Sequence, residues 1–146
     1  MMMHLVRRFV RSIGGRQVTE QQLLWVSEVL NQSELALWKQ MSNPDQRHSV
    51  YVGERFVALL PNATQQEIAG VLLHDIGKIE SKLNTFERVV ATIVGPRSSR
   101  FRSYHDHERI GVELLTQAGS LETTIGVLNG CASPKVVRAF RDADHI

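Results

Sequence analysis

The chain has a single cysteine, Cys131, among its 146 residues. That rules out an internal disulfide and fits a reducing compartment. Long apolar runs are missing as well. Nothing approaches the ~20 residues that span a bilayer, and Met1 to Gly15 lacks both a long apolar core and a small-residue cleavage site, so a cytoplasmic protein without a transmembrane segment is expected. An excess of one charge is absent too: 17 Lys and Arg stand against 15 Asp and Glu, a net charge of +2 and an isoelectric point near 9.0, too mild to argue for specific nucleic-acid binding. Alternation with period two is lacking, and no Asn-Gly turn joins apolar flanks, which removes most β architectures. There is no Gly-x-Ser-x-Gly elbow, Walker loop or glycine-rich dinucleotide fingerprint. Cys131 itself, beside Gly130, reads as a small buried thiol at a helix end rather than a nucleophile.

What is present is helical. Hydrophobic residues make up 42% and charged residues 22%, ordinary values for a globular chain of one domain. Arg7, Arg8, Arg11 and Arg16 interleave with Leu5, Val6, Phe9, Val10 and Ile13, so residues 1–18 form a basic amphipathic segment ahead of a domain at 19–146. Thr19-Glu20-Gln21-Gln22 has capping-box spacing and opens a helix carrying Leu23, Leu24, Val26, Val29 and Leu30 to about Asn31. Ser33 is expected to cap a second helix, and Asn43, followed by Pro44, a third that carries His48, Val52, Phe56, Leu59 and Leu60. Thr64-Gln65-Gln66-Glu67 is another capping box, whose helix runs through Ile68, Val71 and Leu72 to His74 and Asp75. Further helices are expected at about Thr85 to Val94, from the Tyr104-His105-Asp106-His107-Glu108 stretch to Gly119, from a Ser120 cap to Gly130, and from Ser133-Pro134 onward. Gly95 to Ser103 reads as a loop holding Arg97, Arg100 and Arg102. The expected fold is an all-α bundle of about seven or eight helices.

The stretch Val71-Leu72-Leu73-His74-Asp75-Ile76-Gly77-Lys78 carries the chemistry. It sets an imidazole and a carboxylate side by side at the end of a greasy helical run, a pair suited to a first-row metal. Gly77 is expected to take positive φ at the helix end and to turn Lys78 back as a phosphate-sized point charge. His48, four residues before Val52, sits at one edge of its helix's buried stripe, where antiparallel neighbours can bring it to face His74.

In order and spacing, His48, His74-Asp75 and a C-terminal aspartate resemble the His…His-Asp…Asp pattern of the HD superfamily of metal-dependent phosphohydrolases. Leu72 to Lys78 is the most specific part of the likeness, and Arg47-His48 and Ala143-Asp144-His145-Ile146 look like its first-histidine and Ala-Asp segments. For that reason Asp144 is preferred to Asp142. The resemblance implies an HD-type bundle in which His48, His74, Asp75 and Asp144 hold a divalent metal and a phosphate ester or anhydride is hydrolysed. Two imidazoles and two carboxylates suit Mn²⁺, Fe²⁺, Co²⁺, Ni²⁺ or Zn²⁺, with Mg²⁺ a harder alternative. Asp75 would also orient water, while Lys78 and an arginine from Arg97, Arg100 and Arg102 would neutralise developing charge. The segment from His107 to Leu115 resembles the His-x-x-Ile-Gly-x-x-Leu-Leu stretch of the HD-GYP branch, which implies His107 as a ligand to a second metal; it is also a candidate general acid or hydrogen-bond donor to the phosphate. His105 is a candidate substrate contact. The branch's later histidines would fall near Leu128-Asn129-Gly130-Cys131 and are missing, as is its Gly-Tyr-Pro signature.

Two functions are compatible with these residues. One is a metal-dependent phosphohydrolase acting on a nucleotide or other phosphorylated small molecule. The other is an HD-type binding or regulatory module that senses such a ligand or serves a partner. Nothing in the residues decides for or against a homodimer.

Overall fold

A computed structural model describes residues 17–79 and 107–145. All its regular structure is helical, with no strand among the described residues. The elements are α1 (Glu20–Val29), α2 (Gln32–Trp38), α3 (Asn43–Leu59), α4 (Gln65–Leu72), a 3₁₀ turn (Ile76–Ile79), α5 (His107–Gln117), α6 (Glu122–Asn129) and α7 (Pro134–Asp144). The protein is therefore an all-α bundle. Among the described residues no helix is long and apolar enough to cross a membrane. Residues 1–16 of the basic segment lie outside the described residues, as do the helix expected at 85–94 and the arginine loop.

Capping chemistry fixes most of the helix starts. At α1 the Thr19 hydroxyl accepts the Gln22 N–H at 3.1 Å and the Gln22 side chain accepts the Thr19 N–H at 3.0 Å, and Thr64 and Glu67 do the same for α4. Three caps differ from the sequence expectation. Asn31, not Ser33, caps α2, because Asn31 has Glu34 three residues on to complete a reciprocal box. Ser42, one residue before Asn43, caps α3 through the Asp45 N–H. Ser120 does not cap α6. Its hydroxyl donates to the second oxygen of the buried Glu34 at 2.6 Å, and α6 begins after Leu121 without a side-chain cap. One carboxylate thus closes α2 and ties it to the α5–α6 connection. Gly119 and Gly130 sit at φ +76° and +79°, a left-handed conformation suited to helix ends.

α4 is the central element and packs on α1, α3 and α6, while α7 lies on α3 and α5 lies on the 3₁₀ turn and α6. Val26, Phe56, Val71, Leu72, Leu73 and Ile76 are sealed from solvent, as is Trp38, whose indole donates to the buried Ser49 hydroxyl at 2.9 Å. Leu23, Leu24 and Leu59 remain exposed, so the buried stripes of α1 and α3 are narrower than their apolar positions suggest. Cys131 is also exposed, against the expected burial.

α4 ends earlier than expected. After Leu73 the backbone tightens into three-residue bonds, Ile76 N–H to Leu73 C=O at 3.0 Å and Lys78 N–H to Asp75 C=O at 3.0 Å. His74 and Asp75 therefore stand in a turn rather than on a helix. Gly77 is there for a reason other than positive φ, which it does not adopt. A Cβ on it would meet the backbone oxygen of His107 at 1.7 Å and the Gly111 nitrogen at 2.9 Å. The 3₁₀ turn and the first turn of α5 touch backbone to backbone, and only glycine permits that. Because the obstacle is main chain, no rotamer relieves it. Gly77→Ala is expected to cost about 3 kcal/mol, the top of the usual overpacking range, read as a fall in the urea midpoint. A midpoint within error of the parent protein would show that the two elements do not meet this way.

Candidate metal centre

Five segments contribute to one cluster of side chains. His48 comes from the middle of α3, His74 and Asp75 from the turn after α4, Lys78 from the 3₁₀ turn, His107 from the first position of α5 and Asp144 from the last position of α7. His74, Asp75, Lys78, His107 and Asp144 line a cavity of about 290 Å³ together with Glu108, Leu128 and Phe140.

His74 sets the geometry. Its Nδ1 lies 2.7 Å from the Val71 carbonyl oxygen; a carbonyl only accepts, so Nδ1 carries a hydrogen and Nε2 is turned to the cluster. Asp75 Oδ2 stands 3.3 Å from that Nε2 and Asp144 Oδ1 3.7 Å from it. The same Asp144 oxygen is 3.1 Å from His48 Nε2. The two imidazoles meet edge to face with centroids 5.8 Å apart, and Phe140 packs on the other side of His74 at 5.0 Å. Lys78 Nζ approaches Asp75 Oδ2 at 3.3 Å and Asp45 Oδ1 at 3.9 Å. His107 Nε2 lies 3.7 Å from Asp75 Oδ1.

These spacings fit a metal. Donors about 2.1 Å from a common ion stand roughly 3.0–3.4 Å apart in octahedral or tetrahedral arrangement, close to the 3.1, 3.3 and 3.7 Å observed. His48, His74 and Asp75 each present one ligand atom within 4.8 Å of the other two, and all three are buried. Asp144 is not one of that mutually close trio, but it reaches both imidazoles and is the more exposed corner. Asp142 is exposed, and its backbone carbonyl accepts from Arg55.

The electrostatics follow from burial and proximity. Burial opposes the charge on His74, yet the Asp75 carboxylate and then Asp144 outweigh it and raise its pKa from 6.5 to about 8. Burial likewise works against ionised Asp75, and His74, Lys78 and His48 overcome it and hold the carboxyl well below its usual range. Asp144, penalised by burial and by Asp75, is lowered by its bond to His48 and by the charge of His74.

Of the residues singled out from sequence, His48, His74, Asp75, Lys78, His107 and Asp144 are brought together. Arg97, Arg100, Arg102 and His105 lie outside the described residues. Sequence reasoning missed Arg55. From α3 its Nε donates to the Ala143 carbonyl at 3.1 Å and Nη2 to the Asp142 carbonyl at 3.4 Å, beside the Tyr51 ring. Arg55 thus satisfies carbonyls that the end of α7 leaves without helical partners, next to Asp144. The available signal was its position seven residues after His48, which puts both on one face of α3. Asp45, three residues before His48 and near Lys78, was missed as well. Compared with known protein families, curated proteins and solved structures, the chain matches none.

Two outcomes are expected. With metal chelated, the His74 contribution to stability is fully present below pH 6.5 and is lost as the pH rises through about 8, while Asp75 and Asp144, depressed below 3.8, contribute above that value and lose their contribution in acid. The melting temperature should be highest between about pH 4 and 6.5 and fall through pH 8, and His74→Gln should flatten the alkaline limb. An unchanged limb in that variant would mean another group titrates there. Arg55→Ala should cost about 1 kcal/mol and speed amide exchange at residues 142–145, with partial recovery in Arg55→Lys. Unchanged exchange would mean that Arg55 does not hold the end of α7.

Proposed function

We propose that this protein is a metal-dependent phosphohydrolase acting on a nucleotide or another phosphorylated small molecule, as its resemblance to the HD superfamily implies. The observation that carries the reading is the convergence of two imidazole nitrogens and two carboxylates from α3, the turn after α4 and α7, with Lys78 and His107 lining the cavity there. His48, His74, Asp75 and Asp144 would hold the ion. A bound divalent metal supplies Lewis acidity, making water nucleophilic at neutral pH and drawing charge from a phosphoryl group.

The chain's own residues do the rest. Asp75 stays ionised under burial, so it acts as the acceptor that aims the attacking water. Lys78, held at 3.3 Å from Asp75, neutralises charge on the phosphoryl oxygens as the bond from water oxygen to phosphorus forms. His107, when protonated, gives its proton to the leaving oxygen as the ester bond to phosphorus breaks. The products are inorganic phosphate and an alcohol. Lys78 and His107 favour this reading over a purely ligand-sensing module, because a sensor needs no proton donor beside the scissile bond.

The test begins with elemental analysis of the purified protein and a screen of phosphorylated metabolites with Mn²⁺, Fe²⁺, Co²⁺, Ni²⁺, Zn²⁺ and Mg²⁺. Asp75→Ala is expected to abolish phosphate release with helicity retained, since Asp75 stands beyond α4. Lys78→Ala should lower kcat by about 10²–10³, the range for loss of one charge-stabilising donor. Full turnover in Asp75→Ala would defeat the mechanism, and metal-dependent ligand binding without phosphate release would establish the sensing module instead.

A further inference from the structure

The cavity around His74 and Asp75 does not stand alone. A second cleft of about 370 Å³ adjoins it, and Glu108, Leu128, Phe140 and Asp144 line both. Its walls differ in chemistry from those of the first. The catalytic cavity is lined mainly by ionisable side chains, whereas the cleft presents Val127, Leu128, Val136, Val137 and Phe140. Besides Glu108 and Asp144, which it shares with the first cavity, two polar groups accompany this apolar surface. Asn129 spends its Oδ1 on the Cys131 N–H at 3.0 Å, which leaves its NH₂ as a donor, and Arg141 adds a cation from α7. An apolar surface with a few polar groups, in the volume range of small-molecule sites, describes a ligand subsite rather than a packing defect.

We propose that this cleft receives the organic half of a phosphoester, and that it selects an apolar, ring-bearing group over a polyol or sugar. The inference rests on the phosphohydrolase reading of the adjoining cavity. A phosphoester has two chemically unlike halves, and the two adjoining cavities have the same division. With the phosphoryl group beside Asp75, Lys78 and His107, the ester oxygen leads past Asp144 and Phe140 into the cleft. Phe140 links the two halves, since its ring stands edge to face with His74 and also lines the cleft. An aromatic group there packs against a ring already braced on the metal-binding cluster. A polyol would leave those of its hydroxyls that face Val127, Leu128 and Val137 without partners, a penalty an apolar ring avoids. Asn129 and Arg141 accommodate an acceptor atom on the ring's edge.

The test uses the full chain loaded with Mn²⁺ and, separately, in chelator. Binding of two phosphonates that cannot be hydrolysed, 1-naphthylmethylphosphonate and 3-hydroxypropylphosphonate, is measured by calorimetry, and phosphate release is followed with 1-naphthyl phosphate and glycerol 3-phosphate. The naphthyl phosphonate should bind the Mn²⁺ protein at least tenfold tighter, and Val137→Trp, which fills the cleft, should bring it to the level of the hydroxypropyl probe. If Val137→Trp does not fold by circular dichroism, Ala132→Phe fills the same cleft. Affinities within threefold of each other, absent binding of the naphthyl probe, or a preference that survives the folded cleft-filling variant would overturn the subsite. A naphthyl preference without phosphate release keeps the subsite and removes the hydrolase. Release from both esters at equal kcat/KM keeps the hydrolase and removes the subsite.

Discussion

Asp75 carries a negative charge at 8% exposure, and its surroundings are arranged to make that tolerable. An isolated buried carboxylate would take up a proton, but Asp75 instead remains ionised because His74 and Lys78 each stand 3.3 Å from its Oδ2 and the charge of His48 adds to theirs. Such clusters are a poor route to stability, since well-packed apolar residues in their place are commonly neutral or stabilising. The bundle already has Val71, Leu72, Leu73 and Ile76 fully sealed around this point and gains no core by adding acids and imidazoles. A second acid, Asp144, adds negative charge beside His74. Two carboxylates with two imidazoles form a charge pattern that a divalent cation would complete.

Backbone constraints then bring the donors together. A pair on a continuous α4 would project about 100° apart, as successive helical residues do, whereas the tight turn after Leu73 lets Asp75 Oδ2 approach His74 Nε2 at 3.3 Å. Gly77 permits the backbone contact that brings α5, and with it His107, against this turn. On the opposite side α7 lies along α3, so Asp144 meets His48 while Arg55 holds the adjacent carbonyls. His74, His107 and Asp144 are therefore placed by main-chain contacts nearby, not by their own helices alone.

Much of this was legible in the sequence. The helical class followed from apolar periodicity and the absence of alternation, and the capping boxes at Thr19 and Thr64 were read directly because their chemistry is local. Ser120 misled because its hydroxyl is spent on Glu34, 86 positions away, and no window of sequence reveals that. Gly77 was singled out for the wrong property: φ preference is a property of one residue, whereas a close approach depends on which backbone lies opposite. Asp144 was chosen over Asp142 through a motif likeness, and the geometry gives it a physical basis in the bond to His48. Arg55 escaped notice because its partners are backbone carbonyls, which leave no trace in residue identity.

The donors differ in how firmly they are held. His74 and Asp75 follow directly on sealed core residues, and His74 is further fixed by its bond to the Val71 carbonyl. Asp144 sits on the last position of α7 with a side chain 38% exposed, restrained by His48 and by the Arg55 contacts beside it. A buried trio of His48, His74 and Asp75 thus offers a preorganised set of ligand atoms, which lowers the ordering cost of binding an ion. The more accessible corner at Asp144 is also where the site adjoins the apolar cleft. Rigidity is concentrated where the ion would be gripped, and accessibility where a substrate would have to enter and leave.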